Sequence, residues 1–190
     1  MRKGVYVGSF DPVHKGHKMV VDYLLKNNYV DSIIVIPTGS YWDKNKMIDV
    51  SYRIEMWNCY KSDRIIIDGR YSDLEYTYMI LDKLSGDGND ELYLIIGADN
   101  IICFDKWKNY QEIINNNKIL IIPRNGIDIK NNIYKYNNRD NFIMVDGFCR
   151  MDVSSREIRK LLMNKRYGEV EKYLDKEVIE YIKKNKLYLN

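Results

Sequence analysis

No apolar run in this chain approaches the roughly 20 residues that a helix needs to cross a bilayer. The longest are short ones such as Leu92 to Ala98, so no membrane-spanning segment is expected. Arg2 and Lys3 precede only a few apolar residues before Gly8, too few for the core of a secretory signal. Cysteine is scarce: Cys59, Cys103 and Cys149 are odd in number and far apart. That argues against a disulfide framework and a thiolate zinc site, and for a reducing cytoplasmic setting. A dominant sign of charge is lacking too, because 30 Lys and Arg stand against 27 Asp and Glu for a formal net charge of +3. A nucleic-acid binder concentrates its basic residues on one face, whereas here the signs are interleaved. Neither nucleic acid nor a membrane is therefore expected as a partner, and a homo-oligomer is compatible with the sequence. Histidine is scarce too, with only His14 and His17 in 190 residues.

What is present is an alternation of apolar runs and amphipathic stretches. Strands are expected at Lys3–Val7, Ser32–Ile36, Arg64–Asp68, Leu92–Ile96 and Lys118–Ile122, with a sixth around Asn141–Val145. Most are continuously apolar, as in a parallel sheet covered on both faces. Helical patterns fall at about His17–Asn28, Val50–Tyr60, Tyr76–Leu84 and Trp107–Ile114. This order predicts an α/β, Rossmann-like, doubly wound and mainly parallel sheet. After Val145 only helices follow. Ser154 or Ser155 reads as an N-cap, with Glu157 closing a capping box for a helix to about Met163, and a last helix spans Lys176–Lys184. Segment Asn125–Asn141 reads as an exposed, mobile loop. One unit over residues 1–190 is the simplest organisation, with residues 1–150 as the α/β core and 151–190 as helices completing the site.

The chemistry concentrates in Gly8-Ser9-Phe10-Asp11-Pro12-Val13-His14-Lys15-Gly16-His17, directly after the first strand. Ligands of an open α/β sheet sit at the carboxyl ends of its strands. Gly8 lets the backbone turn sharply or approach a ligand, and Gly16 removes a side chain at a helix start, where free N–H groups and the helix dipole favour phosphate. Two imidazoles three residues apart can both donate hydrogen bonds to one triphosphate. A single histidine is more often incidental, but two flanking Gly16 between a strand and a helix are not easily so. Zinc would need a third His or a suitably spaced Cys, and none accompanies them.

These residues, with Val153-Ser154-Ser155-Arg156-Glu157-Ile158-Arg159 near the end of the chain, resemble the two signatures of the nucleotidylyltransferase superfamily with the HxGH motif. The resemblance implies that His14 and His17 bind ATP phosphates and that Ser154, Ser155 and Arg159 hold the β- and γ-phosphates. His14, His17 and Arg159 are then the expected catalytic residues. Gly8, Ser9, Phe10, Gly16, Gly97 and Asp99 would complete the ATP site.

Three further segments are similar to the bacterial nicotinate-mononucleotide adenylyltransferase family: Glu75-Tyr76-Thr77 with Leu81, Ile96-Gly97-Ala98-Asp99-Asn100 followed by Trp107, and Ile121-Ile122-Pro123-Arg124 with Gly126. This resemblance implies that Trp107 stacks on a pyridine ring, that main-chain amides near Thr77 and Trp107 read its carboxylate, and that Asp99 accepts from ribose hydroxyls. Lys44, Thr77, Trp107 and Arg124 would bind the mononucleotide. The loop after the second strand departs from the pattern, with Asp43 in place of the family's histidine before Lys44 and without its paired prolines.

The implied reaction is in-line attack of nicotinate mononucleotide on the α-phosphorus of ATP. It gives deamido-NAD and pyrophosphate without a covalent intermediate, with Mg2+ carried by the ATP phosphates rather than by protein ligands. Nicotinamide mononucleotide and pantetheine phosphate are alternative acceptors, a cytidylyltransferase is a further relative, and a non-catalytic nucleotide sensor is the alternative from another class.

Overall fold

The computed structural model describes residues 1–39, 47–86, 88–124, 126–149 and 151–189. Six strands occur in the order β1 (Arg2–Gly8), β2 (Ser32–Pro37), β3 (Ile65–Ile67), β4 (Glu91–Gly97), β5 (Lys118–Ile122) and β6 (Phe142–Met144). They form one sheet, ordered β3-β2-β1-β4-β5-β6, in which every pairing is parallel. Its helices are α1 (Lys15–Lys26), α2 (Val50–Asn58), α3 (Thr77–Gly86), α4 (Ala98–Ile101), α5 (Tyr110–Asn116), α6 (Ile129–Ile133), α7 (Ser155–Met163), α8 (Tyr167–Val170) and α9 (Lys176–Lys184).

Successive strand side chains point to opposite faces, and the continuous Ile/Val runs supply both. Ile33 and Val35 join a core with Val21 and Leu24 of α1 and Met56 and Trp57 of α2. Ile34 and Ile36 join the opposite core with Ile80 and Leu84 of α3 and Ile113 of α5. The C-terminal helices add Ile158, Leu162, Val178 and Ile182 to the α1/α2 side. The chain builds outward from β1 to β2 and β3, then returns to β4 on the other side of β1 and continues to β5 and β6. The direction of winding therefore reverses between β1 and β4, and their carboxyl ends, Gly8 and Gly97, flank the crevice this creates.

Several boundaries differ from expectation. The α5 helix starts at Tyr110 rather than Trp107, because Trp107 is extended and Asn109 sits at φ 53° in the left-handed region. Segment 125–141, expected as a loop, contains α6 and a 3-10 turn at Arg139–Asn141. Tyr136 within it is buried, and its hydroxyl donates to Ile101 O at 3.0 Å and accepts from Asp105 N at 3.1 Å. An Asn/Lys-rich composition hid this anchor.

Candidate active site

The loop from Gly8 to His14 joins β1 to α1 at the switch point. His14 is the N-cap of α1, with extended backbone. Its Nδ1 accepts from His17 N at 3.3 Å, and His17 Nδ1 accepts from His14 N at 3.2 Å. Two histidines thus form a reciprocal capping box, a job usually done by Ser or Thr with Glu. The rings stack with centroids 3.6 Å apart and an interplanar angle of 18°. Gly16 makes the stack possible, since a Cβ there would lie 3.0 Å from both Cε1 and Nδ1 of His14 and 3.2 Å from Val153 Cγ1.

Both rings line a cleft of about 440 Å³. Gly8, Ser9, Phe10 and Gly16 form its floor with them, Gly97, Asp99, Trp107 and Arg124 line it from the β4 and β5 ends, and Ser154 and Ser155 line it from the start of α7. Twelve of the residues singled out from sequence therefore share one cavity. Ser154 is the N-cap of α7, paired with Glu157 in the expected capping box. Asp99 lies in the first turn of α4 and forms an ion pair with Arg124 Nη1 at 2.7 Å. Trp107 is partly exposed, its ring tilted on Phe104 with centroids 4.9 Å apart.

Two singled-out residues do not line this cleft. Thr77 is the first residue of α3. Arg159 donates from Nη1 to Asp11 O and lies 3.5 Å from Asp11 Oδ2. Lys44 falls outside the described residues.

The sequence assigns no role to Arg53, Asp11 or Tyr188, which are linked beside the cleft. Arg53 of α2 is buried, and its Nη1 donates to Ser9 O at 2.5 Å and Thr38 O at 2.6 Å. Burial lowers its guanidinium from the usual value, against the pull of Asp11. Asp11 is also buried; burial pushes its carboxyl above the ordinary range, while the Tyr188 hydrogen bond and the charges of Arg159 and Arg53 oppose the rise. The apolar lining from Phe148 and Met151 was missed as well. Neither residue sits in a periodic element that would have marked it.

A doubly wound parallel sheet with paired imidazoles at its switch point and a capped serine pair facing them defines the class of α/β nucleotidyltransferases. Within that class, the chain belongs to the cytidylyltransferase-like family, which it matches over residues 5–161. A Fusobacterium nucleatum protein named a probable nicotinate-nucleotide adenylyltransferase is 33% identical to it, over 95% of this chain and 100% of the relative. One of the same name from Acholeplasma laidlawii is 32% identical, over 97% of this chain and 96% of the relative. Among solved structures, nicotinic acid mononucleotide adenylyltransferase from Plasmodium falciparum complexed with NaAD superposes with a TM-score of 0.80 at 25% identity, covering 98% of this chain and 97% of that one. The same parasite enzyme complexed with APC shares the fold at a TM-score of 0.79, 24% identity and coverage of 98% and 96%. Among the described residues no helix is long and apolar enough to cross a membrane.

Proposed function

We propose that this chain transfers the adenylyl group of ATP to nicotinate mononucleotide, releasing pyrophosphate and forming deamido-NAD. The observation that carries the reading is the His14/His17 capping box at the switch-point cleft. With each Nδ1 accepting from a main-chain N–H, each neutral ring carries its proton on Nε2, the nitrogen that can donate to a phosphate oxygen. The names of the relatives and the partly exposed Trp107 in the same cleft support a pyridine nucleotide as acceptor.

The acceptor's 5′-phosphate is ionised near neutral pH, so attack needs no general base. Positioning and neutralisation of charge supply the catalysis. His14 and His17 donate to the oxygens where charge develops, and the Ser154/Ser155 start of α7 receives the distal phosphates. Trp107 stacks on the pyridine ring and Asp99 accepts from ribose hydroxyls, with Arg124, Thr77 and Lys44 assigned to the mononucleotide. Among the described residues the cleft offers hydrogen-bond donors and one carboxylate, Asp99, which is already paired with Arg124. That donor set fits Mg2+ brought in and held by the triphosphate, where it would offset phosphate charge. Three exposed free thiols, Cys59, Cys103 and Cys149, fit a reducing cytoplasm.

ATP labelled at its α-phosphorus tests the bond broken. The label should appear wholly in the dinucleotide, with unlabelled pyrophosphate released. Label recovered in pyrophosphate or inorganic phosphate would contradict adenylyl transfer.

A further inference from the structure

Asp99 and Trp107 both line the cleft, and a break in the helical course of the chain lies between them. Residues Ala98–Ile101 form α4, Phe104–Lys106 form a 3-10 turn, and Cys103 between them leaves the helical region at φ −121°. An unbroken helix would carry a hydrogen bond from Asp105 N to Ile101 O, four residues back. Here the Tyr136 hydroxyl stands in that place: it accepts from Asp105 N at 3.1 Å and donates to Ile101 O at 3.0 Å. A side chain inserted into the helix ladder is a known cause of a sharp break. Burial raises the Tyr136 phenol, so it stays protonated and remains the donor.

The wedge is itself held from three sides. The Tyr136 ring is buried against Phe142 of β6, with centroids 5.5 Å apart. It meets Phe104 edge to face at 6.0 Å, and the buried Phe104 carries the Trp107 ring at 4.9 Å. Lys135 spans the same break, its Nζ donating to Ile102 O and Asp105 Oδ1, both at 2.9 Å. Beyond the break Trp107 turns extended, at φ −71° and ψ 140°. A continuous helix would instead set Trp107 about 80° around the axis from Asp99 and about 12 Å along it, turned away from the face that Asp99 presents. The break is what lets both residues serve one cleft.

We propose that Tyr136 is a positioning residue for the mononucleotide: its hydroxyl, braced by Lys135, holds open the break between Ile101 and Asp105 and so keeps Trp107 facing the cleft beside Asp99. This rests on the reading in which Trp107 stacks on the pyridine ring. The segment between β5 and β6 thereby sets affinity for one substrate without touching it.

The test is steady-state kinetics of Tyr136→Phe with each substrate varied in turn, made both in the unaltered chain and in Trp107→Ala. The KM for nicotinate mononucleotide should rise severalfold, to about tenfold at most, which is what one aromatic stack contributes. The KM for Mg·ATP and kcat should stay unchanged. In Trp107→Ala the same substitution should add nothing further, because the ring it positions is gone. A rise of equal size in both backgrounds, or one shared by both substrates, would mark Tyr136 as structural only and overturn this inference alone. So would an unchanged KM in Tyr136→Phe where Trp107→Ala raises it. If Tyr136→Phe does not fold, Lys135→Met carries the test from an exposed side chain. A mononucleotide KM that rises only while Trp107 is present supports the inference, and an unchanged one overturns it. An unchanged mononucleotide KM in Trp107→Ala would overturn the placing of the pyridine on Trp107 and this inference with it.

Discussion

His14 and His17 cap one another: each Nδ1 accepts the other residue's main-chain N–H, and the two rings stack 3.6 Å apart. The pair therefore carries a structural duty beside its proposed chemical one, and the two can be separated. Asn is among the best N-caps. His14→Asn should keep the thermal midpoint close to that of the unaltered chain while turnover falls roughly 10²- to 10³-fold, the usual effect of losing one donor to developing charge. His17→Ala should cut turnover at least as far and also lose one arm of the box, at a cost of about 1 kcal/mol of stability. Near-normal turnover in either variant would sink the phosphate role of the imidazoles.

Trp107 lines the same cleft from the β4 side, partly exposed and resting on Phe104. Aromatic pairs contribute about 0.5–1.5 kcal/mol beyond the area they bury. Trp107→Ala should accordingly raise the KM for the mononucleotide severalfold, with little change in the KM for ATP. Steady-state kinetics with each substrate varied in turn would show it. A rise confined to ATP would move the ring to the other half of the site.

Much of the fold could be read from the chain because it rests on local patterns. Both-faces-buried strands are continuous apolar runs, and β5 at Lys118–Ile122 and α9 at Lys176–Lys184 fall on the expected boundaries. Strand β3 is shorter than the apolar run at Arg64–Asp68 predicts, since only Ile65–Ile67 pair with β2. Helices α4, α6 and α8 span four or five residues each, too short for a 3.6-residue period to show. The cleft residues were legible because they cluster in motifs beside strand ends. The Asp11–Tyr188 bond was not, because it joins residues 177 positions apart and Tyr188 sits in no motif. Arg159 was read as a phosphate ligand, and its contact with the Asp11 carbonyl depends on how α7 packs against the loop.

Acid should destabilise the chain through its paired carboxylates. Asp31 accepts from Arg2 Nη2 and Arg2 N at 2.7 and 2.8 Å, which holds its carboxyl below the ordinary 3.8. Asp90 is lowered in the same way by Lys3 and the N-terminal amine. A lowered folded-state value means that the unfolded chain binds more protons as pH drops, so this stability is present above the ordinary value and lost as pH falls through the folded one. Asp11 has the opposite sign, because burial raises its carboxyl and stability falls as pH rises from 3.8 toward the folded value. Thermal midpoints should decline as pH is lowered through about 4, and Asp31→Asn should flatten that decline. An unchanged slope in Asp31→Asn would show that the Arg2 pair does not contribute.

The most direct test of the central claim is pyrophosphate release from Mg·ATP with nicotinate mononucleotide, run beside nicotinamide mononucleotide and 4′-phosphopantetheine. Release should be rapid with the nicotinate compound and markedly slower with the other two. Release with 4′-phosphopantetheine alone would keep the His14/His17 chemistry but contradict the acceptor assigned to the Trp107 side of the cleft, and no release with any acceptor would contradict the enzyme.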